Sequence, residues 1–140
     1  MTEPSKIPTV RDLMAQNPAT LDRNETLDIP DAIMNLGRIR HMPVVEDGRV
    51  VGILSQRDLF RSALIVALGF GRKTTSALIK TIRVKEVMTK PAITITADAA
   101  VSDAARLMIE KKIGCLPVVE NERLIGLITE TDILRSVVEC

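Results

Sequence analysis

The chain has 140 residues, 46% of them apolar and 26% charged, with a formal net charge of +1. That is enough for one ordinary domain or two small ones sharing a core, and too apolar for a disordered chain. Phe60 and Phe70 are its only aromatics, so a single-strand nucleic-acid binder would lack its stacking platforms, and the small net charge argues against a polyanion partner for the chain as a whole.

Residues 1–9 read as a flexible tail. From Val10 onward the sequence is a duplication: slid by 74 residues, Val10–Ser62 falls on Val84–Ser136, with Val10/Val84, Met14/Met88, Thr20/Thr94, Met34/Met108, Pro43/Pro117, Gly52/Gly126, Asp58/Asp132 and Arg61/Arg135 identical. Paired prolines and glycines carry most weight, because they constrain backbone geometry and not only hydrophobicity. In the first copy, residues 10–66, "VRDLMAQNPATL" leads into a short extended stretch around Thr20. A helix follows, with Asp28 expected as N-cap and Ile29, Ile33 and Leu36 on its inner face. "MPVVEDGRVVGILS" then reads as two strands around an Asp47-Gly48 hairpin turn, with Pro43 at a strand start or sheet edge, and a second helix begins after Ser55.

Between the copies, residues 67–83 form an excess linker, broken at Gly69-Phe70-Gly71, whose second piece reads as a helix from Ser76 to about Ile82 presenting Leu78, Ile79 and Ile82. Its "GFGRKTT" lacks the spacing of a phosphate-binding loop. The longest apolar run, residues 63–70, is far shorter than the ~20 residues of a membrane span. Arg61–Lys90 carries seven basic residues against Glu86 alone, which reads as a solvated face before a phosphate-attracting patch.

The second copy, residues 84–140, repeats the series. Ser102 is its expected helix cap, Val101 staples the entry, and Ala104, Ala105 and Met108 face inward; Asn121-Glu122 makes a weaker turn in "LPVVENERLIGLIT", and a last helix starts after Thr129. Each copy is therefore β-α-β-β-α in an α/β (α+β) fold. The two are expected to pack about a pseudo-two-fold axis, and apolar surface left over after that pairing points to a homodimer. Cys115 and Cys140 lie far from any close ligand pattern and no leader precedes Val10, so a reduced, cytoplasmic setting is expected, with no metal site.

Two in-register copies of hydrophobic-Pro-Val-Val, each followed by Gly-aliphatic-aliphatic-(Ser/Thr)-x-x-Asp and a helix, closely resemble a CBS-domain pair, or Bateman module, over Val10–Val138. The resemblance implies clefts between the repeats that bind AMP, ADP, ATP or S-adenosylmethionine, and a regulatory role without a catalytic cofactor. It also implies that basic residues before the proline meet phosphates, which Arg40 and His41 match and Gly114 and Cys115 do not, so the two clefts should be unequal.

The residue chemistry supports that reading separately. An ionised carboxylate can accept from both hydroxyls of a ribose, a task suited to Asp58 and Asp132. Ser55 and Thr129, starting helices, offer a hydroxyl and backbone N–H groups to phosphate, although a Ser or Thr three residues before an acid is also a plain capping box. Without aromatics, Ile53, Leu127, Val44 and Val118 are the expected walls for adenine, with backbone near Thr20 and Thr94 at its edge. His41-Met42-Pro43 and Cys115-Leu116-Pro117 complete the expected contact set.

The leading expectation is an adenine-nucleotide sensor acting through a homodimer, on an unidentified protein target. The alternative is a dimerisation module with vestigial clefts. An enzyme would need His41 and Cys115, equivalent in the repeat, to act together as a nucleophile pair or with carboxylates as a metal site, and no orienting third group is evident. Nucleic-acid binding rests on the basic stretch alone.

Overall fold

The computed structural model describes residues 7–37, 39–62 and 79–139. In chain order these form α1 (Val10–Leu13), β1 (Ala15–Gln16), β2 (Leu21–Asp22), α2 (Asp28–Gly37), β3 (His41–Glu46) and β4 (Arg49–Ser55), then a helix α3 described over residues 56–62. After it come α4 (Val84–Val87), β5 (Ile95–Thr96), α5 (Val101–Lys111), β6 (Cys115–Glu120), β7 (Arg123–Thr129) and α6 (Glu130–Val138). The β-α-β-β-α series occurs twice in a mixed α/β fold, as the pattern requires. The expected break at Gly69-Phe70-Gly71, the helix start at Ser76 and Leu78 lie outside the described residues.

The chain separates into two compact units, Ala19–Ala92 and Met1–Pro18 with Ile93–Cys140. In the first, β2 runs parallel to β3 (Leu21↔Val44) and β3 antiparallel to β4, with an irregularity between Val44 and Val45. Met42, Val44 and Leu54 point from the hairpin into a core with Leu21, Leu27, Met34, Leu59, Val84 and Met88. The second unit repeats this: β5 is parallel to β6, β6 antiparallel to β7, and Leu116, Val118 and Ile128 meet Val10, Ala97, Ala104 and Met108.

Each unit takes its lead-in from the other copy of the repeat. Segment 84–89 lies on the first copy's hairpin, where Ile53 and Thr89 exchange backbone hydrogen bonds of 3.0 and 2.8 Å. The first copy's β1 instead pairs with β7 of the second, Ala15 opposite Leu127 and Gln16 opposite Gly126. This crossing explains the repeated glycine. A Cβ at Gly52 would stand 2.6 Å from Met88 Sδ and 3.1 Å from the Thr89 carbonyl oxygen; one at Gly126 would stand 2.6 Å from Met14 Sδ and 2.9 Å from the Ala15 carbonyl oxygen. Only a residue without a side chain lets the lead-in pass that close.

Several local expectations shift. The inner face of α2 is Pro30 and Met34, continued by Leu27 just before the helix, while Leu36 is 89% exposed; relative to the expected face the helix is turned by about one residue, or 100°. Ile33 still packs at the core edge, and Ile29 is exposed. Neither Asp28 nor Ser102 is an N-cap: α2 already includes Asp28, and Ala100 caps α5, placing Ser102 inside its first turn. Pro43 and Pro117 are third in their strands, not first. They are tolerated because the parallel neighbours β2 and β5 begin pairing one residue later, at Val44 and Val118, so the missing N–H breaks no bond. Residues 79–82 form a turn in place of the expected helix. Ile79 and Ile82 pack on their own unit's core, and their carbonyls accept from the Leu27 N–H at 3.1 and 3.0 Å. Pro8 and Thr9 are tied in through the Val101 N–H and the Thr9–Ala100 bridge.

Candidate functional site

Hairpin register assembles most of the expected site residues into one strip per unit. His41 stands opposite Ser55 and Pro43 opposite Ile53. Because side chains alternate along a strand, these four share the face that turns away from Met42, Val44 and Leu54. In the other unit Cys115 stands opposite Thr129 and Pro117 opposite Leu127. Thr20 and Thr94 are exposed and immediately precede β2 and β5, whose first residues pair next to Pro43 and Pro117.

Beyond each strip the strand turns into a helix through a closed cap. The Ser55 N–H donates to Asp58 Oδ2 at 2.9 Å and the Asp58 N–H donates to Ser55 Oγ at 3.0 Å. Thr129 and Asp132 repeat this at 2.9 and 3.3 Å, with the Thr129 hydroxyl also 3.0 Å from Asp132 Oδ2. Such a box satisfies two backbone donors reciprocally and orients the carboxylate. In both units Oδ2 takes the cap, and Oδ1 has no hydrogen-bond partner among the described residues. Asp58 and Asp132 are half-buried, so each offers one held oxygen as an acceptor to a hydroxyl-bearing ligand.

Arg40 and His41, adjacent in sequence, part company. His41 belongs to the strip. Arg40 is exposed, its carbonyl accepts the Gln56 N–H at 2.8 Å, and it lines an open recess of ≈ 310 Å³ with Met34, Asn35, Ile39 and Gln56. Asn35 and Gln56 escaped the sequence reading; their signal is the repeat register, in which Ile109 and Glu130 replace them. Val44 and Val118 are fully buried in the two cores, as are Met42 and Leu116. Their side chains cannot wall a ligand, and neither can that of Pro43, which is also fully buried; the role passes to half-buried Ile53, while Leu127 and Pro117 are buried in the second unit.

Cys115 is buried, and burial first, then the neighbouring charge of Glu130, push its thiol up to about 12. At neutral pH it is a protonated packing residue and not a nucleophile. Among the described residues no three His, Cys, Asp or Glu gather as metal ligands, and no helix is long and apolar enough to cross a membrane.

Comparison with known proteins gives the arrangement its kin. The sequence pattern of the CBS domain matches residues 10–64 and 84–139. A CBS domain-containing protein of Dictyostelium discoideum is 32% identical over 127 residues, covering 89% of this chain and 88% of that protein. The homoserine O-acetyltransferase of Methanohalobium evestigatum is 31% identical over 132 residues, covering 93% of this chain but only 24% of the enzyme. Among solved structures, the CBS domain pair of protein MJ0100 in complex with 5′-methylthioadenosine and S-adenosyl-L-methionine is 26% identical with a TM-score of 0.79, covering 96% of this chain and 98% of that one.

Proposed function

The chain belongs to the CBS-domain family, carrying two of its domains in tandem, and on that premise we propose that it is a regulatory module sensing adenosine compounds. AMP, ADP or ATP come ahead of S-adenosylmethionine, and binding is passed through a homodimer to an unidentified protein target in the cytoplasm, without catalysis. The observation that carries the reading is the pair of capping carboxylates, each with Oδ2 spent on its helix cap and Oδ1 left for a ribose hydroxyl. The adenosine compounds bound by MJ0100 support the ligand class. Preference for phosphate over the sulfonium cation rests on Arg40 and His41 in the Ala19–Ala92 unit, since an anion is favoured beside a guanidinium.

The strip residues differ in depth, and this favours unequal sites. His41 and Ile53 are half-buried, whereas their counterparts Cys115 and Leu127 are buried; Pro43 and Pro117 are buried alike. The ligand-free alternative therefore keeps a specific footing in the second unit, and the first unit is the stronger binder in this reading.

Isothermal titration with AMP, ADP, ATP and S-adenosylmethionine tests it. Asp58→Asn keeps a capping oxygen but loses the charge, and weakens the tighter site about tenfold to a hundredfold, the loss of one charge-assisted hydrogen bond of ~1.5–3 kcal/mol; Asp132→Asn affects only the weaker site. Ligand at about 100 times its dissociation constant adds ~2.7 kcal/mol of stability. Wild-type protein that gives neither heat nor a melting shift with any of the four ligands would end the sensor reading and leave the dimerisation module.

A further inference from the structure

In each unit a methionine sulfur sits on the bare backbone of the repeated glycine. The Cβ that Gly52 lacks would meet Met88 Sδ, and the Cβ that Gly126 lacks would meet Met14 Sδ, both at 2.6 Å. The two seats match in geometry and differ in access. Met34, Met42, Met88 and Met108 are each 9% exposed or less, whereas Met14 is half-buried and packs at the rim of its core. Among the described residues it is the one methionine that is not buried.

Met14 also marks the point where the hold on the lead-in changes. Before it, Val10 is fully buried, and the Val10 and Arg11 N–H groups donate to the Ala99 and Ala97 carbonyls at 2.9 and 3.0 Å. After it, Ala15 and Gln16 are exposed and are held to Leu127 and Gly126 by a two-residue pairing. So short a ladder is marginal by itself, and β1 depends on the thioether's fit against Gly126. That contact is close and apolar, and a polar oxygen added to the sulfur has no partner in it.

We propose that Met14 is a site of reversible oxidation, and that its sulfoxide releases β1 from β7 while Val10 stays docked. The oxidant is a hydroperoxide. A sulfur lone pair attacks the terminal peroxide oxygen and the S–O bond forms as the O–O bond breaks; the proton on the transferred oxygen passes to the leaving oxygen, which departs as water or an alcohol. Sulfur gives two electrons to the peroxide. Sulfoxide reductases return the thioether, the oxygen leaving as water while two thiols close to a disulfide. Release takes away the strand beside Leu127, one of the strip residues, and the inference uses no ligand.

Hydrogen peroxide applied to the full chain, followed by peptide mass spectrometry and amide exchange, tests the site. Met14 takes up oxygen at least about tenfold faster than Met34, Met42, Met88 and Met108, since a buried sulfur reacts only when its surroundings open. Exchange over Ala15–Gln16 and Gly126–Leu127 then rises at least about tenfold, while Val10, Arg11, Gly52 and Ile53 keep their rates. Met14→Leu keeps an apolar contact without an oxidisable sulfur, so its exchange is the same before and after peroxide, which sets aside any oxidation of Met1. Met88 oxidised as fast as Met14, an oxidised Met14 with β1 still protected, or the same release in peroxide-treated Met14→Leu would overturn the assignment. A protein that binds no adenosine ligand yet releases β1 on oxidation loses the sensor and keeps this site; one that gives heat with ATP while Met14 stays inert does the reverse.

Discussion

Cys115 and His41 occupy the same place in the two copies, yet each is defined by its own surroundings. His41 is half-buried opposite Ser55, and Cys115 is enclosed opposite Thr129 beside Glu130. A thiol whose native pKa is raised to about 12 makes stability depend on pH with a definite sign. Below pH ~9 the thiol is protonated in both native and unfolded chains and contributes no slope. Between ~9 and 12 only the unfolded chain releases its proton, so stability falls by up to ~1.4 kcal/mol per pH unit. Urea unfolding of wild type and Cys115→Ala at pH 8 and pH 10 isolates this effect: the variant loses stability less steeply with rising pH. Equal slopes would show that the buried thiol does not set the dependence.

Elements were legible where backbone chemistry is local. Asp47-Gly48 and Asn121-Glu122 both form the anticipated turns with left-handed residues, φ 53° and 80° in the first, 52° and 67° in the second. Gly48 takes that conformation freely, whereas Glu122 has a Cβ to accommodate. Glu122→Gly is expected to stabilise the protein by about 0.5–1 kcal/mol in chemical denaturation; an unchanged midpoint would mean that the turn holds no strain. The Ser55-Asp58 and Thr129-Asp132 caps were equally readable, being set by spacing alone. The face of α2 was not, because the expected helix start was misplaced and a shift of one residue turns an inner face by about 100°. The repeat register held the correction: Val101, Ala104 and Met108 line the inner side of α5, and their counterparts 74 residues earlier are Leu27, Pro30 and Met34. Val44 and Val118 were misread as ligand walls since sequence alternation separates two faces without saying which one meets the core. The crossing of the lead-ins left only an indirect trace, the repeated Gly52 and Gly126, because exchange between two similar copies leaves the local pattern of each intact.

At the scale of the whole chain that crossing makes the two units unlike in their dependence on distant sequence. Ala19–Ala92 is one continuous stretch, whereas Ile93–Cys140 needs residues from the other end of the chain. Val10 is fully buried against the second core, and Met14 packs beside it. Deleting residues 1–16 therefore removes several kcal/mol of burial, at ~1.5–3 kcal/mol for each enclosed aliphatic side chain. Amide exchange should then speed up across Cys115–Thr129 while His41–Ser55 keeps its protection; equal loss in both hairpins would contradict the division. Synthesis meets the same asymmetry in time. Once residue 92 has left the ribosome, the first unit has every strand and its own lead-in at hand, and closes a modest loop from Gly52 to Met88. Val10, Leu13 and Met14, made earlier, must stay undocked until a hairpin more than a hundred residues later in the chain appears. Residues made early in this stretch are among the last to find their place, and for that interval their apolar side chains are open to whatever else in the cell binds nascent chain.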